Sequence, residues 1–181
     1  MIRYIYQDML SVIRFLPKAL IIGIPVSVAA FLAKKKVFRS EKKVRAVPSA
    51  AFCVYLAVII LITLLSREGG GSKVIDLELF STWGINRRNN ALVVENVLLF
   101  IPYGFISCYA FQGMRRILSC TVFGTATSVG VECLQLVTGR GFFQLDDILT
   151  NTIGAMLGCM AYLLLSGIQR LVRCGEAGGS G

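Results

Sequence analysis

The sequence contains no histidine. That absence removes every mechanism that uses imidazole as base, nucleophile or metal ligand. Charge is scarce as well: 16% of the 181 residues are charged and 55% are hydrophobic, which is too apolar for a soluble domain of this size. What charge there is leans one way, with ten acids against nineteen bases. In a soluble protein a net charge of +9 would point to nucleic acid, but here the basic residues sit beside apolar runs, so anionic lipid headgroups are the expected partner and nucleic acid is not. The six cysteines, Cys53, Cys108, Cys120, Cys133, Cys159 and Cys174, are scattered singly, five of them inside apolar runs. No metal or redox spacing links them, and each reads as a small apolar residue.

What the sequence has instead is long apolar blocks. Crossing about 30 Å of hydrocarbon takes roughly 20 apolar residues. Five segments qualify: Val12 to Ala33, Pro48 to Leu65, Ala91 to Phe111, Ile117 to Val137 and Ile148 to Gly167. The expected fold is therefore all-α, a polytopic helical membrane protein with about five transmembrane helices. The first segment is the least apolar, because Arg14, Pro17 and Lys18 leave only Ala19 to Ala33 free of charge. Residues 1–47 form an N-terminal span with a basic loop, residues 48–177 form the main membrane domain, and Gly-Gly-Ser-Gly at 178–181 reads as an added linker.

Charge bias gives an orientation. Lys34, Lys35, Lys36, Arg39, Lys42, Lys43 and Arg45 follow the first span with Glu41 as the only acid, and such a loop stays in the cytoplasm. Alternation then places Arg115, Arg116, Arg170 and Arg173 inside, with the N-terminus outside and the C-terminus cytoplasmic. Two loops face outward with the N-terminus: Ser66 to Asn90 and Thr138 to Asp147. In the first of these, Val74, Leu77, Phe80 and Trp83 recur every third position, which predicts a short interfacial helix, either a surface anchor or a lid.

Polar residues within or beside the last three spans need a reason, because each is costly in hydrocarbon. Glu95, Asn96, Glu132, Gln135, Asp147 and Asn151, with Arg140 and Asp146 in the connecting loop, all fall at the outer ends of those spans. Glu132 and Gln135 share a helix face, as do Asp147 and Asn151. Gly124 and Ser128 continue the Glu132 stripe, and Gly154 and Gly158 form a GxxxG, which predicts a tight hairpin of the fourth and fifth spans. Two readings of the polar cluster stand side by side. One is a buried clasp, with Arg140 neutralising a carboxylate and Asp146 or Asp147 capping the fifth helix. The other is a site for a cation, a substrate ammonium or a shared proton, since the acids in this stretch outnumber the base.

The segment Glu95 to Phe105 (ENVLLFIPYGF), then Glu132 and Gln135, then Arg140 followed by Gly141 to Ile148 (GFFQLDDI), then Asn151, Gly154 and Gly158, resembles the VanZ-like family, which is named for a teicoplanin resistance protein of Gram-positive bacteria. The likeness covers roughly residues 75–165, and Asp76 to Phe80 departs from the family's pattern by lacking a proline. The resemblance implies a multi-pass protein of the bacterial cell envelope linked to glycopeptide resistance. It carries over Asn96, Pro102, Gly104, Glu132, Gln135, Arg140, Asp146, Asp147, Asn151 and Gly154 as characteristic positions, though Pro102 and Gly104 read more simply as a kink and a packing notch. The expected function is to bind, or alter access to, a lipid-linked cell-wall precursor or lipoglycopeptide at the outer leaflet through Asn96, Glu132, Gln135, Arg140, Asp146, Asp147 and Asn151. One alternative is a membrane enzyme acting on a lipid phosphate or lipid-linked precursor, with the carboxylates holding a divalent cation. The other is a transporter of lipids or small molecules, which five spans without an internal repeat favour less.

Overall fold

The computed structural model describes residues 46–65 and 74–178, together with positions 3, 6, 10, 17, 18, 20–25 and 28. Among the described residues four helices are long and apolar enough to cross a membrane. They are α1 (Ala46–Leu65), α2 (Arg87–Ala110), α3 (Ile117–Thr138) and α4 (Leu145–Gly178). A 3-10 turn at Gln112–Met114 joins α2 to α3, and two-residue strands, β1 (Ile75–Asp76) and β2 (Phe143–Gln144), lie in the connections. The chain is an all-α polytopic membrane protein, as its apolar blocks require. The predicted first span falls mostly outside the described residues, as does the Lys34 to Arg45 loop. Positions 17, 18, 20–25 and 28 are helical, and buried Gly23 lies against Val54 of α1.

Local signals explain the helix ends. Asn86 is extended and its side chain accepts from the Asn89 N–H at 2.8 Å, which caps α2. Gly139 adopts the left-handed conformation, with φ 64°, and ends α3 there, its N–H reaching back to Gln135 and Leu136. Pro102 leaves the Leu98 carbonyl without its helical donor. In that loosened turn the Tyr55 hydroxyl donates to the Leu99 carbonyl at 2.7 Å and ties α1 to α2. The last helix runs eleven residues beyond the predicted end at Gly167, and Arg170 and Arg173 project from this exposed extension.

Two kinds of seam hold the bundle. Between α1 and its neighbours, large side chains interlock: Phe52 meets Tyr103 and Phe111, each at 5.2 Å between ring centroids. Between α2 and α4 the backbones themselves touch. A Cβ on Gly154 would strike Val97 and Phe100, one on Gly158 would strike Ile101 and Phe105, and one on Gly104 would strike the Ala155 backbone. This corrects the expected hairpin, because the GxxxG of α4 faces α2 and not α3. The adjoining stripe of α4 meets α3, with Ala155 against Gly124 and Asn151 against Ser128. In a bilayer, where lipid is as apolar as leucine, such close packing supplies much of the association energy between helices.

The predicted interfacial helix is absent. Residues 74–86 instead form β1 and a succession of turns, with Ile75 and Asp76 paired in parallel with Phe143 and Gln144. The reason is a set of carboxylate contacts that a helix would forbid. The Asp76 carboxylate takes the Glu78 N–H at 3.0 Å and the Ser81 hydroxyl at 2.8 Å. Asp146 takes the N–H groups of Phe80 and Thr82. The threefold apolar spacing persists, but as exposed side chains of a turn-rich flap.

Candidate functional site

The ends of α1 and α3 and the starts of α2 and α4 meet beneath this flap, and the predicted polar residues lie there. Four of them are almost completely removed from contact with solvent or lipid: Glu132, Gln135 and Asp146 are each 1% exposed and Asn151 is 4% exposed. Asp147, in the first turn of α4, is buried too. A helix N-terminus offers unpaired N–H groups and a favourable dipole, which suits the two adjacent acids.

Each carboxylate does a separable job. Asp146 does not simply cap its own helix, because its two oxygens accept from Phe80 N–H at 2.6 Å and Thr82 N–H at 2.9 Å. Phe80 has φ 65°, a left-handed conformation that costs a bulky residue on the order of 1–3 kcal/mol. The ionic hydrogen bonds of Asp146 on both sides of that residue hold it in place, much as a backbone nest holds an anion. Glu132, reaching from α3, accepts the Gln144 N–H at 3.1 Å and so fixes the loop that carries β2. Asp147 accepts from the Asn96 side chain at 2.8 Å and joins α4 to α2. Deeper in, Asn151 donates to the Ser128 hydroxyl at 2.9 Å, while its own carbonyl oxygen is buried without a hydrogen-bond partner.

Arg140 departs from the clasp reading. Its guanidinium donates to the Leu64 carbonyl at 3.2 Å, at the C-terminal end of α1, where unpaired carbonyls and the helix dipole favour a cation. Its backbone N–H meanwhile closes the α3 terminus on Gln135 at 3.0 Å. The seven predicted positions lie towards one end of the bundle, where Asp146 contacts the flap, Glu132 the β2 loop and Arg140 the end of α1, while Asn96 and Asp147 join α2 to α4 and Asn151 joins α4 to α3.

Some participants escaped the sequence reading. Asp76 and Ser81 shape the flap, and the signal was local: an aspartate two residues before an N–H it can accept is the pattern of an Asx turn. Thr82, buried with an unpartnered hydroxyl, gave no such signal. Ser128 stands in the small-residue stripe of α3, and its hydrogen bond to Asn151 adds a polar role. Among the described residues the carboxylate oxygens do not converge as a ligand set. Three thiols at the far end of the bundle do.

Above the buried polar groups the flap presents apolar side chains outward. Leu77, Leu79, Phe80, Trp83 and Ile85 are between 44% and 65% exposed, and the Phe80 and Trp83 rings meet edge to face at 5.2 Å. In a membrane protein this is the composition of a surface resting at the headgroup level, where indole and alkyl groups partition. The end of the bundle thus combines a lipid-compatible exterior with an anionic and amide-lined interior.

Protein VanZ of Enterococcus faecium is 30% identical over 70 residues, a stretch that makes up 39% of this chain and 43% of that protein, so the match spans less than half of the relative's length. No solved structure matches the chain. The family model described as VanZ/LLP1 matches residues 52–166, from α1 through the middle of α4 and including every residue of the polar end, and on that match the chain belongs to the VanZ-like family.

Proposed function

We propose that this protein is a non-enzymatic component of the bacterial cell membrane that binds, or controls access to, a lipid-linked or lipid-tailed molecule at the outer leaflet, and that it contributes by this route to resistance against teicoplanin-type glycopeptides. The observation that carries the reading is the direct coupling of the apolar flap to the buried carboxylates through Asp146. A ligand with an acyl tail and a polar head meets both surfaces at once, the tail against Leu77, Phe80 and Trp83 and a cationic or hydrogen-bonding head against the groups beneath. Asn151 and Thr82 each bury an unpartnered polar atom there, which such a head group would reach only as the flap moves.

The orientation belongs to the same proposal. The seven bases of the Lys34 to Arg45 loop hold that loop in the cytoplasm, which puts the flap, the N-terminus and the polar end outside and the C-terminus inside. In a cysteine-free protein, Glu78→Cys is expected to react with an impermeant maleimide in intact cells and Lys42→Cys only after permeabilisation. The reverse pattern refutes the outer-leaflet placement.

The function is tested by expressing Glu132→Gln and Asp147→Asn, which keep shape while removing charge. With both proteins present in membranes at wild-type level, protection against a lipid-tailed glycopeptide is expected to drop at least fourfold, with little change towards a glycopeptide lacking the tail. Full protection at normal protein level shows these carboxylates to be dispensable. Turnover of a lipid-linked precursor by the purified protein replaces the binding reading with an enzymatic one.

A further inference from the structure

Three cysteines far apart in sequence meet at the end of the bundle opposite the carboxylates. Cys108 lies in the last turn of α2, Cys120 in the first turn of α3 and Cys159 near the middle of α4. All three are 0% exposed, and their Sγ atoms lie within 4.8 Å of one another. The Met114 carbonyl oxygen lies against two of them, 2.9 Å from the Cys108 sulfur and 3.8 Å from that of Cys159, while the Cys120 sulfur faces the Ala155 and Gly104 carbonyls at 3.7 and 3.9 Å. Arg115 borders the group, its Nε donating to the Cys108 carbonyl at 3.2 Å and its guanidinium carbon 5.7 Å from the centre of the Tyr162 ring.

We propose that Cys108, Cys120 and Cys159 form a binding site for a thiophilic divalent cation of the zinc class, with the Met114 carbonyl oxygen as the fourth ligand. Zinc–sulfur bonds of about 2.3 Å place the sulfurs of a tetrahedral site about 3.8 Å apart, so the three thiols close on an ion by moving no more than about 1 Å. The sulfur set selects zinc or cadmium over magnesium or calcium, which take oxygen ligands. Three thiolates and a divalent ion carry a net −1, and Arg115, held to the Cys108 carbonyl, brings a cation to the same end of the bundle, where an uncompensated buried charge is costly. Binding releases three protons, one from each S–H, and changes no oxidation state. Simple packing of small apolar residues does not require three buried sulfurs from three different helices to converge within 4.8 Å, with one carbonyl oxygen against two of them. The ion ties the end of α2 and the start of α3 to the middle of α4, and this inference is independent of the function proposed for the other end.

The test uses the full chain in detergent, reduced and stripped with chelator, with exposed Cys133 and Cys174 and half-buried Cys53 replaced by serine. Cadmium is expected to give an ultraviolet thiolate-to-metal charge-transfer band that saturates at one equivalent and is displaced by zinc. Cys108→Ala, Cys120→Ala and Cys159→Ala are each expected to weaken binding at least tenfold. Zinc is further expected to protect three thiols of the parent protein from alkylation, as counted by mass spectrometry, and this readout decides the matter if an alanine variant does not fold. Absence of the band, an unchanged titration in Cys120→Ala, or equal alkylation with and without zinc overturns the site.

Discussion

The two ends of this bundle are built from the same three helices but by different means. At the end under the flap, α2, α3 and α4 present carboxylates and amides, and the contacts run outward, from Asp146 to Phe80 and Thr82, from Glu132 to Gln144 and from Arg140 to Leu64. At the opposite end the same helices present thiols, and the contacts run inward, onto one another and the Met114 carbonyl. Between the ends lies a seam of glycine and alanine that brings α2 and α4 backbone to backbone. Because the seam fixes the helices, each end can devote its polar groups to a local task. The seam carries the fold, and the carboxylates carry the flap.

The largest expected effect comes from breaking the seam. Gly158→Leu or Gly104→Leu drives a side chain into the backbone of the facing helix, an overpacking of about 1–3 kcal/mol or more where backbone cannot give way. Folded yield in membranes, followed by fluorescence-detected size exclusion, is expected to fall severalfold, and both ends are expected to lose their behaviour together. Gly130→Leu is the control, because nothing stands within 4 Å of its Cβ position, and its yield is expected to stay near wild type. Equal loss in all three variants removes the distinction between the seam and lipid-facing positions.

A smaller and more local effect is expected at Asp146. Replacing it with alanine removes two charge-assisted hydrogen bonds, each worth about 1.5–3 kcal/mol, from a flap that also holds Phe80 in a left-handed conformation. The flap is expected to open without unfolding the bundle. Limited proteolysis within 74–86 should accelerate at least tenfold while the helical content is retained, and Asp146→Asn should fall between the two. If the alanine variant is cleaved no faster, the carboxylate is not what holds the turns.

The helices and their polar ends were legible in the sequence because a bilayer imposes simple local rules. Apolar blocks mark spans, and acids within them stand out by their cost. The flap was not legible. Its threefold apolar spacing satisfies a helix pattern, whereas its conformation depends on Asp146, more than sixty residues away. The small residues of α4 were legible as contacts but not in their choice of partner, since Gly154 and Gly158 lie on one stripe of that helix, and Asn151 and Ala155 on the next. The thiols were least legible of all, because no spacing along one chain segment announces three side chains that converge from three helices.

Arg140 gives a smaller test of the outward-directed contacts. Arg140→Met keeps much of the alkyl length and removes the donor to the Leu64 carbonyl, for an expected cost of about 1 kcal/mol through the α1 terminus and its dipole. A drop of a few degrees in the melting temperature, with the flap still resistant to protease, is the expected result. A variant as labile to protease as Asp146→Ala would show that Arg140 acts on the flap and not on α1.

The smallest effect is also the one that reads the flap most directly. Trp83 is the only tryptophan in the chain, so its emission reports on this segment alone. Its ring is 44% exposed and rests edge to face against Phe80, beside Leu79 and Ile85, in a position suited to the headgroup region. In vesicles whose acyl chains are brominated near the glycerol backbone, Trp83 fluorescence is expected to be quenched by about half, with weaker quenching when the bromines sit near the chain ends. Releasing the flap by Asp146→Ala should move the emission to longer wavelength and reduce quenching, because the ring then samples water. If shallow bromines leave the emission unchanged in the wild-type protein, the apolar flap does not rest on lipid, and an acyl tail has no surface there to meet.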